Sequence, residues 1–306
     1  MKRAWNVCLL LLSIAGSGVT VLVAFQQWYP QAHPDARIAI IFLSVFVILV
    51  SAAAVWQEYR YARKARYAEA LGYIAQVFTA VNARRSEQMS NVEEVTDLCR
   101  IVLNRLGRIF SLVTGTRCST CIKVVVVRDG SERPQVATLC RDDTSIERET
   151  GRSPIEAWMS DLEDPNAVQH WIEENTDFAE VFRRAGTPQL AYISNDLTAE
   201  PFYWNTSFKV YGEPKRTRIP FLRSLTWPLP YRSTVVVPIG GRDNYRQYKL
   251  SGYLCVDSGS RYAFSRRYDV PLLTAAGENL NDLVTRYCEL VDGMMSQDGD
   301  ETNESE

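Results

Sequence analysis

Residues 233–258, STVVVPIGGRDNYRQYKLSGYLCVDS, read as two β-rich runs around a Gly-Gly-containing turn. Upstream, CIKVVVVRDGSERPQVATLCR (121–141) has the same form, with Asp129-Gly130 at the turn. Both stretches predict antiparallel hairpins. Downstream of the second, residues 269–291 put Leu272, Leu273, Ala276, Leu280, Leu283, Val284 and Tyr287 on one face of a helix. Before the first, Val92, Val95, Cys99, Val102, Leu106, Ile109 and Val113 form another apolar face. Ser90 or Asn91 is placed to cap that helix, Glu93 and Glu94 suit its first turn, and Gly115 ends it. Helix, hairpin, long middle, hairpin, helix is the order of an α+β fold, an antiparallel sheet with helices packed on one side.

The middle, residues 143–230, predicts a helix within NAVQHWIEENTDFAEVFRRAG (166–186) and a short strand in QLAYISNDL (189–197). An aromatic and proline-rich stretch from Pro201 to Pro230 follows, and its prolines limit regular structure to loops and short helices.

Working outward to the N-terminus, Val7–Phe25 and Ile38–Trp56 are two nineteen-residue runs without a charge. At the α-helical rise each spans about 28 Å, close to the hydrocarbon core of a bilayer. Trp5, Trp28, Tyr29 and Trp56 stand where interfacial aromatics belong. The segment after the second run carries Arg60, Arg63, Lys64 and Arg66, which puts both termini in the cytoplasm by the positive-inside rule. The expectation is therefore a multi-pass hairpin in a cell inner membrane. Tyr67, Leu71, Ile74, Phe78 and Val81 then follow a 4-3-4-3 spacing, a stripe suited to a connecting helix and to a homodimer through residues 67–81. The chain so divides into a hairpin (1–56), a basic connecting segment (57–90), a cytoplasmic domain (91–292) and an acidic tail (293–306) expected to be disordered.

Composition narrows the chemistry. The 306 residues hold 34 Lys and Arg against 36 Asp and Glu, so no excess of positive charge argues for nucleic acid. Only two histidines, His33 and His170, exclude histidine-rich metal centres, and His170 has no partner in sequence that would make it catalytic. Seven cysteines, an odd number in a long chain, fit a reducing compartment. Cys118 and Cys121 form the one CxxC, and Cys140 on the paired strand would complete a redox thiol cluster with them. Arg216, Arg218, Arg223 and Arg232 offer an anion site, with solvated loop charge the stronger account.

The run Ser233 to Pro238-Ile239, then Gly252-Tyr-Leu-Cys-Val-Asp257-Ser258, then Phe264 and the helix from Asp269, resembles the C-terminal half of a GAF domain. In that family a strand ending in proline precedes a Gly-x-Leu-x-Val-Asp strand, a phenylalanine and the closing helix. The opening helix and first hairpin fit the N-terminal half, so the resemblance covers residues 91–292. It implies a GAF-like sheet with helices behind it and a ligand pocket over its other face, roofed by the variable middle. Asn195, Asp196, Tyr203, Trp204, Trp227, Tyr231 and Cys255 are the residues expected to bind a ligand there. No catalytic residue, metal site or cofactor is assigned. The cyclic-nucleotide-binding branch carries an Asn-Lys pair and a Phe-x3-Asp-Glu; here Asn195 is followed by Asp196, and Phe264 leads to Tyr268-Asp269. The sequence thus predicts a membrane-anchored, non-enzymatic sensor or adaptor that binds a small molecule or a protein partner. A thiol-dependent reductase or redox sensor using Cys118, Cys121 and Cys140, and a non-catalytic membrane scaffold, are the alternatives.

Overall fold

Both hairpins close as expected, and together they supply four strands of one antiparallel sheet. The computed structural model describes residues 34–85, 89–127, 133–146, 169–185, 187, 191–214, 220–242 and 248–301, with Gly16, Val23 and Gln27 as single positions. The chain divides into two compact units, Met1–Ala68 and Glu69–Glu306.

In the second unit, β1 (Cys118–Val126) pairs with β2 (Gln135–Arg141), and β4 (Ser233–Arg242) with β5 (Tyr248–Ser258). β3 (Tyr192–Ser194) joins the edge, giving the order β2-β1-β5-β4-β3. The sequence motif has a packing origin. A Cβ at Gly252 would lie 2.3 Å from the Lys123 carbonyl oxygen, so only glycine lets β5 approach β1 there. Among the described residues β3 pairs with β4 only as far as Val236, short of Pro238, whose missing N–H suits the edge side of the strand.

Two long helices cover one face. α2 (Val92–Thr114) starts at Asn91, whose side chain accepts from the Glu94 amide at 2.8 Å, settling the choice of N-cap. Its buried stripe meets that of α7 (Asp269–Glu301), in which Leu273, Ala276, Leu280 and Val284 are fully buried. Between these helices and the sheet lie Ile122, Leu254, Val256, Val235 and Val237, alternate residues of three strands. The opposite face has its own core, built from Phe178, Tyr192, Tyr203, Phe208, Trp227, Val236 and Tyr253.

Several expectations change. The helix expected within 166–186 is shorter: a 3-10 turn at Ile172–Glu174 precedes α4 (Thr176–Arg183), and Trp171 bridges to Gln135 at the sheet edge. Asn175 makes the break, because its side chain bonds Trp171 and Thr206 rather than capping a helix. Gly240 and Gly241 are not in the turn; they lie in β4 at a register shift, where a Cβ on Gly240 would meet the Lys249 carbonyl at 2.3 Å. The segment expected as a disordered tail from residue 293 is helical to Glu301, since α7 extends from a packed stem and propagation costs far less than nucleation.

α1 (Pro34–Arg85) belongs to the first unit as far as Ala68 and to the second from Glu69, and it contains, from Ile41, the one helix among the described residues long and apolar enough to cross a membrane. Phe42, Leu43, Phe46 and Leu49 are exposed on it, and Arg60 lies 4.6 Å over the Trp56 ring. The first expected span, 7–25, falls outside the described residues apart from Gly16 and Val23, and with it the hairpin. Along the connecting stretch Tyr67, Ile74, Phe78 and Val81 are buried together with Ala70 and Val77, whereas Leu71 of the expected stripe is 57% exposed.

Candidate functional site

Strand alternation sorts the side chains of β1 between two environments. Cys118, Thr120 and Ile122 turn toward the helices: the Cys118 thiol lies 3.4 Å from Thr114 Oγ1, and the Thr120 hydroxyl donates to the Leu103 carbonyl at 2.8 Å. Ser119, Cys121 and Lys123 turn the other way and form the floor of a cavity of about 330 Å³. β5 adds Cys255 and Asp257, and β4 adds Thr234 and Val236.

A bulge brings in the neighbouring strand. Cys121 pairs with Arg141 and Lys123 with Thr138, so β2 advances three residues where β1 advances two. That extra residue places Arg141 on the same face as Val136 and leaves both Leu139 and Cys140 buried. The Lys123 ammonium donates to Thr138 Oγ1 at 2.5 Å.

The middle segment supplies the walls, with Asp177 and Asn175 at the start of α4, Asn205 and His170 on the loops, and Tyr231 before β4. Thr206 fixes the histidine tautomer. Asn175 Oδ1 accepts from both the amide and the hydroxyl of Thr206, each at 2.9 Å. With its proton committed, the Thr206 hydroxyl can only accept from His170 Nδ1, which leaves His170 Nε2 an unprotonated acceptor. Burial, reinforced by Lys123 and Arg141, lowers His170 to about 4, so the ring is neutral at pH 7.

The carboxylates shift the opposite way. Burial raises Asp177 to about 6 against the restraining bonds from the Phe178 amide and the Tyr203 hydroxyl, the latter at 3.2 Å. Burial, with Cys121 facing it, raises Asp257 to about 8. The cavity thus sets donors (Lys123, Arg141, Arg117) beside acceptors whose proton affinity is tuned around neutrality.

Of the seven residues expected to bind a ligand, Tyr231 and Cys255 line this cavity. The other five lie outside its lining. Asn195 brackets Phe264, donating to its carbonyl at 2.8 Å and accepting from its amide at 2.9 Å. Asp196 caps a 3-10 turn through Thr198 and pairs with Arg261 at 3.3 Å. Tyr203, Trp204 and Trp227 surround Phe208 with ring centroids 5.4–6.2 Å from it, an aromatic core beneath the roof. Arg223 is no anion site either: it is buried, donating to the carbonyls of Glu200 and Tyr203 and lying 5.5 Å over Trp227. Arg216 and Arg218 lie outside the described residues.

The expected thiol cluster does not assemble. Cys118 and Cys121 are three apart on a strand, an odd spacing that sends them to opposite faces. Cys140, opposite Ile122, shares a hydrogen bond with Cys99 of α2 within the helix-side core. The partner of Cys121 is Cys255, directly across on β5.

No family model and no curated protein matches the sequence. Among solved structures the chain is similar to the GAF domain of Acinetobacter phosphoenolpyruvate-protein phosphotransferase, at 11% identity and a TM-score of 0.37, covering 72% of this chain and 95% of that one. It is similar to free methionine-R-sulfoxide reductase from Neisseria meningitidis, solved with its substrate, at 11% identity and 0.40, covering 73% and 92%. A far-red cyanobacteriochrome photoreceptor matches at 13% and 0.35, covering 71% and 96%.

Proposed function

We propose that residues 91–292 form a GAF-like sensor domain that binds a small polar organic molecule, one carrying an acidic group together with a hydrogen-bond donor. The supporting observation is the cavity: Lys123 and Arg141 share its floor with Asp257, while Asp177 and His170 line its walls. Cations of this kind recognise carboxylate or phosphate oxygens, and the neutral imidazole accepts from a ligand donor. A volume of about 330 Å³ suits a molecule of metabolite size.

In this reading residues 7–25 and 38–56 anchor the domain as a two-span hairpin in the inner membrane, both termini cytoplasmic. The sequence supports it through the uncharged runs and the basic cluster at Arg60–Arg66. Ligand binding biases a helical stalk dimer, read by a protein partner. The buried side of residues 67–81 is already covered within one chain, so a dimer contact runs over the face carrying exposed Leu71 and Tyr73.

The test uses the full-length protein in detergent. Native mass spectrometry should find a co-purified small molecule, or a panel of organic acids and amino acids should raise the melting temperature. Lys123→Met with Arg141→Met should weaken that retention at least about tenfold, the scale of one lost charge-assisted contact. A wild-type protein that retains nothing and shifts with no member of the panel overturns the reading.

A further inference from the structure

The two cysteines on the cavity floor meet the requirements of a reactive dithiol. Cys121 and Cys255 are directly opposed in antiparallel register, and both are free thiols lining the cavity. Opposed residues in such a pair have Cα atoms about 4.5–5.5 Å apart, inside the range a disulfide spans. The bond needs no strand to move.

Their surroundings make them unequal. Arg141 stands across from Cys121 on β2, and Lys123 lies two residues along on the same face, so positive charge borders one side of Cys121. A hydrogen bond from Cys255 also favours the Cys121 thiolate, whereas that same bond and burial push the Cys255 thiol up, so the first proton leaves Cys121. Among the described residues, the other thiols lack this combination. Cys99 and Cys140 are buried away from the cavity, and Cys288 on α7, half-exposed, is raised by burial and by the nearby carboxylates of Asp292 and Glu289.

We propose that Cys121 and Cys255 form a dithiol oxidised within the ligand cavity by a hydroperoxide, with Cys121 the attacking thiolate and Cys255 the resolving thiol. The Cys121 thiolate attacks one peroxide oxygen: an S–O bond forms, the O–O bond breaks, and the departing hydroxide takes up a proton to leave as water. Cys255 gives up its proton and attacks the resulting sulfenic sulfur. An S–S bond forms, the S–O bond breaks, and a second hydroxide leaves with that proton as water. Two thiols are oxidised to one disulfide while one hydrogen peroxide is reduced to two waters. The chemistry goes beyond the sensor reading and does not depend on which molecule the cavity binds.

The full-length protein in detergent, reduced and then given one equivalent of hydrogen peroxide, should lose two thiols per chain. Differential alkylation and peptide mass spectrometry should find a Cys121–Cys255 linkage that dithiothreitol reverses. Cys255→Ser should stop at a sulfenic acid on Cys121 that dimedone captures, and Cys121→Ser should slow thiol loss at least about tenfold. Because the linkage is mapped in the wild-type protein, a poorly folding variant does not shield the proposal. A disulfide at Cys99–Cys140, or Cys121 reacting no faster than Cys288, overturns it.

Discussion

The two faces of the sheet carry similar residue types to opposite ends. On the helix side, Cys99, Cys140 and Cys118 are small apolar fillers among Ile122, Leu254 and Leu273. On the other side, Cys121 and Cys255 share a floor with Lys123, Arg141 and Asp257. One residue of register on β1 decides which environment a thiol meets. Stability should therefore reside mainly on one face and binding on the other, and substitutions that separate the two test this division.

The largest effect belongs to the helix face. Leu273→Ala removes a fully buried side chain from the α7 seam and should cost about 2–5 kcal/mol in denaturant unfolding. Ligand retention should survive wherever the protein stays folded. Cys140→Ser comes next: the added polarity in a fully buried site should cost about 1–3 kcal/mol, whereas Cys121→Ser, which places its hydroxyl on a polar cavity floor, should cost less. Equal losses at the two positions would break the comparison.

Asn195→Ala tests a residue that lies on neither face. Its bracket on Phe264 ties the end of β3 to the segment leading into α7, and losing two bonds to backbone should cost about 1–2 kcal/mol without altering ligand affinity. A change in affinity at constant stability would return Asn195 to the site.

Asn195 also shows where the sequence was informative. The sheet, both hairpins and the two packed helices followed from residue periodicity, because β-branched runs and a 3.6-residue stripe state their own geometry. Strand alternation also held the signal that separates Cys118 from Cys121, since an odd spacing on a strand means opposite faces. Arg141 was hidden by the β2 bulge, which reverses the parity of one strand without a mark in composition. His170 reaches the cavity on a loop and Asp177 from the first turn of α4, and the course of the chain between them depends on Asn175 and Thr206, two polar residues that meet only in the folded chain. The aromatic stretch pulled the ligand expectation toward Tyr203, Trp204 and Trp227, where large apolar area serves the second core instead.

The last predicted effect is the one that reads the electrostatics of the cavity face directly. Asp257 is met by Cys121 from β1, Arg141 from β2, Asp177 from α4 and the Thr234 hydroxyl from β4, and burial dominates, raising it to about 8. A carboxyl raised in the folded state holds its proton there and releases it on unfolding. Its contribution is complete below the unfolded value near 4 and is lost as pH rises through about 8. Asp177 slopes the same way between about 4 and 6, while His170, lowered to about 4, slopes oppositely up to its unfolded value of 6.5. Cys121, whose thiol is lowered, adds stability as pH rises above neutrality. Absolute curves mix these groups, but the difference between Asp257→Asn and wild type isolates one of them. The neutral amide keeps the uncharged state at every pH, so the variant should gain on wild type steadily as pH rises from 5 to 8, in unfolding free energy and in Tm alike. Thermal melts of both proteins across that interval supply the measurement. A difference that stays constant would mean that Asp257 is ionised throughout, and that the cavity floor is as well solvated as an ordinary protein surface.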